Sequence, residues 1–255
     1  MPNVFVISGP NGAGKSTAAP LLIGQRLGIA EFVNADVIAA GISAFSPESA
    51  AIEAGRIMLR RLRQLADEGR DFAFETTLGS RSFAPWIARL RRERNYRFHL
   101  AYLWLPSPEL AVGRVGERIR AGGHAVPPDD IRRRYRRGIS NFFSIYRPIA
   151  DTWELHDNSF SPSRLIAAQE GDGLVQFGDA GLWNAIQDGL KTMEKEAEYT
   201  ASPEPRLMGV PISEVMEIFT RAGRDALARH KALGQSVAIW RDGRVVVIPP
   251  EEIEI

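Results

Sequence analysis

Short unbroken apolar runs alternate along the chain with longer stretches in which apolar residues recur at helical spacing. Asn3–Ser8 (NVFVIS), Glu31–Ala35, Phe72–Thr77, Arg97–Leu105 and Trp153–Asp157 have the look of buried strands. Helices are expected over Lys15 to about Arg26, over Phe83–Arg94 and from Ser107-Pro108 onward. A long helix should start at Ser46-Pro47-Glu48, with Ser46 as N-cap and Pro47 at the first helical position, and end at Gly69. Its apolar positions Ile52, Ile57, Leu59, Leu62 and Leu65 recur at near-helical spacing. Leu165–Ala168 and Val175–Phe177, separated by Glu170-Gly171-Asp172-Gly173, predict a hairpin at the sheet edge.

Strands alternating with helices predict an α/β fold, a doubly wound and mainly parallel sheet. Near residue 191 the character changes to a charged run, and residues 200–205 (TASPEP) suggest a linker. Beyond it, an amphipathic helix to about Leu233, a stop at Gly234, and the runs Val237–Trp240 and Arg244–Ile248 around Asp242-Gly243 predict a small helix plus β-hairpin module. The expected organisation is a larger α/β domain over 1–195, a linker over 196–207 and a C-terminal module over 208–255.

Composition narrows the classes. The 255 residues are 44% hydrophobic and 25% charged, which is ordinary for a globular chain. Thirty-two basic against 31 acidic side chains leave a formal charge of +1, so no global basic field is available to hold nucleic acid. With no cysteine, disulfides, thiolate catalysis and Cys-zinc sites are excluded, and the four scattered histidines show no metal spacing. No basic leader precedes the first strand, and no run approaches the ~18 apolar residues of a membrane span. A soluble cytoplasmic protein is the expectation.

The chemistry starts at Gly9-Pro10-Asn11-Gly12-Ala13-Gly14-Lys15-Ser16, which fits G-x-x-x-x-G-K-[ST] at every fixed position between a strand and a helix. Its glycines let backbone N–H groups close around a polyphosphate at a helix N-terminus. Lys15 then reaches the outer phosphates, and Ser16 ligates Mg2+. Gly9, Asn11, Gly12, Ala13, Gly14, Lys15, Ser16 and Thr17 are the expected ATP-binding set.

Asn34-Ala35-Asp36 closes the second strand, opposite this loop. Asp36 there can accept a proton from an attacking hydroxyl; capping the next helix or orienting a magnesium-bound water are the alternatives. The third strand ends Phe74-Glu75-Thr76-Thr77, where a carboxylate and hydroxyls suit a polar substrate, a magnesium water, or a helix cap at Thr77 or Ser80. The fourth strand ends without an aspartate, which favours a small kinase over a translocating ATPase. Residues 114–147 are rich in arginine on both sides of Gly122-Gly123, the layout of a lid closing over a triphosphate. A solvated basic helix or an RNA patch are the alternatives; few aromatics are interleaved with the arginines, which disfavours nucleic acid.

Taken in order, these segments resemble the zeta toxin family of P-loop kinases. The matching stretches are GPNGAGKST (Gly9–Thr17), FVNAD (Phe32–Asp36), AGR (Ala54–Arg56), FETTL (Phe74–Leu78), RIRAGGHAVP (Arg118–Pro127), IRRRYRRGISNFF (Ile131–Phe143) and HDNS (His156–Ser159), within about residues 1–190. The resemblance implies ATP- and Mg2+-dependent phosphorylation of a nucleotide sugar, UDP-N-acetylglucosamine in characterised toxins. It implies Asp36 as base, Lys15 and Ser16 as the ATP-Mg2+ groups, Asn34, Glu75 and Thr76 at the substrate, and Arg120 and Arg134 as lid arginines. It also implies an antitoxin partner, for which residues 208–255 are a candidate in cis. A kinase of another metabolite or of polynucleotide 5′-hydroxyls, and a nucleotide-binding regulator without turnover, are the alternative readings.

Overall fold

The computed structural model of the protein describes residues 1–20, 23–24, 28–43, 50–120, 125–160, 162–201, 206–207, 210–211, 227–241 and 244–253. The chain divides into two compact units, Met1–Leu190 and Lys191–Ile255. The first runs β1 (Asn3–Ser8), α1 (Lys15–Ala19), β2 (Phe32–Val33), α2 (Ala35–Ile42), α3 (Ala51–Asp67), β3 (Phe72–Thr76), α4 (Phe83–Arg94) and β4 (Arg97–Trp104). It continues with α5 (Pro108–Arg120), α6 (Pro128–Asn141), β5 (Thr152–Asp157), β6 (Arg164–Glu170), β7 (Gln176–Phe177) and α7 (Ala180–Ala201), which belongs to this unit as far as Leu190.

The seven strands form one sheet in the order β2-β3-β1-β4-β5-β6-β7. β2, β3, β1, β4 and β5 are parallel; β6 and β7 return antiparallel as the predicted edge hairpin. From β1 the chain winds first toward β2 and β3 and then toward β4 and β5. The carboxyl ends of β1, β3 and β4 therefore meet at the point where the winding reverses, which is where open α/β sheets form their ligand crevice.

Both faces are covered, which explains why the central strands are continuously apolar. On one face Val4, Val6, Phe72, Phe74, Phe98 and Leu100 pack with Met58, Leu62 and Leu65 of α3, Ile87 and Leu90 of α4, and Trp183 and Ile186 of α7. On the other, Ile7, Ala73 and Leu103 pack with Ala19 of α1, Ala111 and Val115 of α5, and Ile131 and Tyr135 of α6. Each fully buried large side chain contributes ~1.5–3 kcal/mol.

Several expectations are corrected. The second strand stops at Val33, because Asn34 turns its side chain to cap α2, a helix the sequence reading left out. Ile52 and Leu59 are 76% and 40% exposed, whereas Ala54, Met58, Leu62 and Leu65 form the buried stripe of α3. α7 continues to Ala201, through residues read as the start of a linker. The proposed cap at Ser46-Pro47 and the Gly122-Gly123 link lie outside the described residues, as does part of the first helix beyond Ala19.

In the second unit, β8 (Arg206–Leu207) pairs antiparallel with β9 (Val210–Pro211), a ladder the sequence did not predict. β10 (Val237–Arg241) and β11 (Arg244–Ile248) pair antiparallel with Trp240 opposite Val245. The Asp242-Gly243 turn lies outside the described residues, as does most of the helix expected before Leu233, of which 227–232 are helical.

Two positions make this packing testable. Gly138 lets α6 lie directly on the loop after β3: a Cβ there would overlap the Thr77 carbonyl oxygen and stand 3.1 Å from the Tyr102 hydroxyl. Gly138→Ala should lower the unfolding free energy by ~1–3 kcal/mol in urea, despite alanine's better helix propensity. Equal or greater stability would contradict the close approach. Asp151 accepts from Arg91 Nε (2.9 Å) and from the Phe98 amide (2.7 Å). Burial pushes its pKa up, but the bonds from Arg91 and Phe98 outweigh that and hold it below the ordinary 3.8. As pH falls the unfolded chain takes up this proton first, so the stabilisation is complete above about pH 4 and is lost as pH drops through the folded value. Asp151→Asn should flatten that acid limb of the Tm–pH curve; an unchanged limb would show that the pair does not act there.

Candidate active site

The phosphate loop leaves β1 at Ser8, whose hydroxyl donates to the Ala101 carbonyl (2.8 Å) and ties β1 to β4. Gly9, at φ 140°, has no room for a side chain against the Leu103 carbonyl, and Gly14 takes φ 78° just before α1. Lys15 lies almost entirely beneath this loop. Its Nζ donates to the carbonyls of Gly9 (3.0 Å) and Pro10 (2.9 Å) and stands 3.6 Å from Glu75 Oε1. Burial lowers its pKa from the ordinary value; Glu75 and Asp36 pull it back up, and Arg118 adds to the lowering.

Glu75 reaches the lysine because β3 pairs with β1 in a register that sets Glu75 beside Ile7 and Thr76 beside Ser8. Its Oε2 accepts from Ser16 Oγ (2.8 Å) and from Asn34 Nδ2 (2.7 Å). Asn34 works at both ends of its amide. While Nδ2 donates to Glu75, Oδ1 accepts from the backbone N–H groups of Asp36 (2.7 Å) and Val37 (3.3 Å), capping α2. The cap is thus Asn34, and Asp36 sits free of that duty in the helix's first turn, exposed at the rim of the cavity.

That cavity measures about 500 Å3 and is lined by Asn11, Gly12, Gly14, Lys15, Ser16 and Thr17 from the loop, Asn34 and Asp36, and Glu75, Thr76 and Thr77. Gly9 and Ala13 are buried and do not belong to its lining. Of the expected lid arginines, Arg134 of α6 lines the cavity, whereas Arg120 is exposed in the last turn of α5 and is not in the lining. Arg118 and Arg114 line it instead. Residues two apart on a helix point in widely different directions, so α5 as it stands turns Arg118 to the cavity and Arg120 away, whereas Arg114 and Arg118 at i, i+4 share a face.

Met58, Phe83, Arg114 and Arg118 are cavity residues that the sequence reading did not single out for the site. The i, i+4 spacing of the two arginines beside buried Ala111 and Val115 was the available signal for them. Arg114 donates to the carbonyls of Asn158 (2.8 Å) and Ser159 (3.0 Å), and Asn158 Nδ2 donates to the Ala13 carbonyl (2.6 Å), so the segment after β5 braces the loop. Among the described residues the Asn11 Oδ1 atom is buried without a hydrogen-bond partner. Among them, too, no group of histidine, aspartate and glutamate residues is arranged to hold a metal by itself, and no helix is long and apolar enough to cross a membrane.

Residues 1–147, more than half of the 255, match the Zeta toxin family. The chain belongs to the zeta toxin family. A curated relative, an uncharacterised protein of Haemophilus influenzae (strain ATCC 51907 / DSM 11121 / KW20 / Rd), is 29% identical over 129 residues, covering 50% of this chain and 88% of the relative. Among solved structures, the AvrRxo1-ORF1:AvrRxo1-ORF2 complex with sulphate ions superposes with a TM-score of 0.59 at 17% identity. That match covers 73% of this chain and 63% of the other, so the chain spans under two thirds of that protein's length. The same pair has been solved with ATP, at TM-score 0.57, 18% identity and the same coverage. A structure from the PezAT chromosomal toxin-antitoxin system of Streptococcus pneumoniae gives 0.50 at 15% identity, covering 77% of this chain and 87% of its own. At these identities the structures establish a shared fold, and it is the P-loop kinase fold expected of a zeta toxin.

The amide of Asn34 is what joins α2 to the loop in this zeta toxin family member, and its substitution tests the network. Asn34→Asp keeps an acceptor for the cap but sets a second carboxylate against Glu75. Like charges this close raise one of the two pKa values. The variant should lose ~1–3 kcal/mol at pH 7 and recover part of it as pH falls toward 5, read by urea unfolding across pH. A deficit independent of pH would contradict direct contact between positions 34 and 75.

Proposed function

We propose that the protein is an ATP- and Mg2+-dependent phosphotransferase that moves the γ-phosphoryl group of ATP to a hydroxyl of a nucleotide sugar such as UDP-N-acetylglucosamine. The observation that carries this reading is the Glu75 carboxylate, shared by Lys15, Ser16 and Asn34 at the base of a cavity whose rim holds Asp36. The sugar nucleotide itself rests on the family resemblance.

In this reading the loop residues Gly9, Asn11, Gly12, Ala13, Gly14, Lys15, Ser16 and Thr17 hold the triphosphate. Ser16 Oγ and the Glu75 carboxylate are hard oxygen donors held 2.8 Å apart, a pairing that suits Mg2+ directly or through its water. When bound, the cation neutralises phosphate charge. Lys15 exchanges its two loop carbonyls for β- and γ-phosphate oxygens. Asn34, Glu75 and Thr76 orient the acceptor. Asp36 accepts the hydroxyl proton as the acceptor oxygen bonds to the γ-phosphorus, the bond to the β–γ bridging oxygen breaks and ADP departs. Arg134, with Arg120 brought in by movement of residues 114–147, stabilises charge on the transferred group.

The kinase would occupy residues 1–195, with 196–207 leading to the 208–255 module. An antitoxin would silence it, as a separate chain or as residues 208–255 acting in cis. Removal of everything after residue 205 should raise transfer or make expression toxic if the inhibitor is in cis; an unchanged or insoluble product assigns that segment a structural role.

The deciding experiment incubates the full chain with γ-labelled ATP, Mg2+ and a panel of UDP-sugars, small metabolites, nucleosides and 5′-hydroxyl oligonucleotides. Label should pass to UDP-N-acetylglucosamine. Lys15→Ala should abolish transfer, and Asp36→Asn should keep ATP binding while losing ~10^2–10^4-fold in rate. Label on a different acceptor replaces the substrate assignment. Full transfer by Lys15→Ala would overturn the whole reading.

A further inference from the structure

α3 carries an arrangement that the core does not explain. With 3.6 residues per turn, Ile52, Arg56, Leu59 and Arg63 fall within an arc of about 60° on its outer side, away from the buried Ala54, Met58, Leu62 and Leu65. Ile52 and Leu59, one heptad apart, are 76% and 40% exposed, and Arg56, Arg60 and Arg63 around them are exposed as well.

These arginines have no ion-pair partner among the described residues, although other arginines around α3 do. Arg61 and Arg70 both pair with Glu31 at 2.8 Å. Arg63 has Asp67 at i+4, the standard helical partner, but Asp67 Oδ1 is held by Arg94 at 2.9 Å. Arg56 and Arg60, also four apart, are like charges on neighbouring turns and repel each other. Arg56, Leu59, Arg60 and Arg63 share the wall of one open hollow with Gln64, Asp67 and Glu68, of which Asp67 is paired with Arg94 and Glu68 accepts from Gln64.

We propose that the outer face of α3 is a docking surface for a partner protein that presents an acidic amphipathic helix. Apolar anchors spaced i, i+7 and flanked by like charges are the pattern by which one helix lies along another, the apolar pair giving contact and the charges giving orientation. The chemistry narrows the occupant. A second copy of the same face would set arginine against arginine. A nucleic acid would gain nothing from Ile52 and Leu59 and finds no aromatic on the stripe to stack on. An acidic helix with apolar residues one heptad apart satisfies both components. The surface is separate from the nucleotide cavity, so this docking does not depend on the kinase reading.

The probe is a fluorescein-labelled synthetic helix of about five turns, with leucines at heptad spacing flanked by glutamates; its lysine counterpart and a scrambled version are the controls. Fluorescence anisotropy with the full chain should show binding of the glutamate helix over both controls. Arg60→Glu/Arg63→Glu should weaken it at least tenfold and bind the lysine helix instead, and Leu59→Ser should weaken it without reversing the charge preference. Thermal unfolding confirms that these surface variants fold, and ATP binding should be unchanged in each. No binding of the glutamate helix, equal binding of the scrambled peptide, or equal affinity in the variants overturns the proposal. So does tighter binding of oligo-dT or of phosphatidylserine vesicles that is lost in the same variants.

Discussion

A lysine ammonium held beneath a loop, with only 6% of its side chain exposed, must be compensated or it neutralises. Lys15 is compensated by two loop carbonyls and by Glu75, and much of the first unit follows from that requirement. Glu75 can stand there only if β3 is the immediate neighbour of β1, in the register that brings it beside Ile7. That placement makes β1 the central strand of the doubly wound order and opens the crevice at its carboxyl end. The same carboxylate holds Ser16 and Asn34, so the loop, α1 and the start of α2 are fixed from one point.

On the proposed reading, a bound nucleotide would rearrange this network. Lys15 points back into the loop, and Ser16 donates to a carboxylate. Both are contacts that phosphate oxygens and a cation would replace with charge-assisted ones. A carboxylate so close to the phosphate site repels a bare triphosphate, and with a divalent cation between them the repulsion becomes attraction. In the proposed reading, Glu75 would make nucleotide binding conditional on the metal. The helices carrying Arg114, Arg118 and Arg134 approach the same cavity from α5 and α6, which pack on the second face of the sheet through Ala111, Val115, Ile131 and Tyr135.

Much of this was legible in the sequence for physical reasons. Gly9, Gly14 and Lys15 are positions where one backbone conformation and one side chain serve the phosphate loop, so they form a pattern that composition does not obscure. The central strands are buried on both faces and read as unbroken apolar runs, and α4 falls where its spacing placed it. Other features depend on partners far apart in the chain. α3 shows two competing apolar stripes, and only the packed structure reveals that Met58 faces inward while Leu59 faces out. Asn34 reads as the end of a strand because its capping role is shared with Glu75, 41 positions away. Arg118 was hidden among many arginines, since position along a helix, not residue type, decides which of them meets the cavity.

The central claim is that the Lys15–Glu75–Ser16 network is a magnesium-nucleotide site, and titration calorimetry of ATP into the full chain tests it directly. Measured with and without Mg2+, the unaltered protein should bind ATP at least tenfold more tightly with the cation. Glu75→Gln should bind the metal-free nucleotide more tightly than the unaltered protein does and gain much less from Mg2+. An affinity that does not depend on Mg2+ in the unaltered protein, or the same dependence in both proteins, would contradict the account.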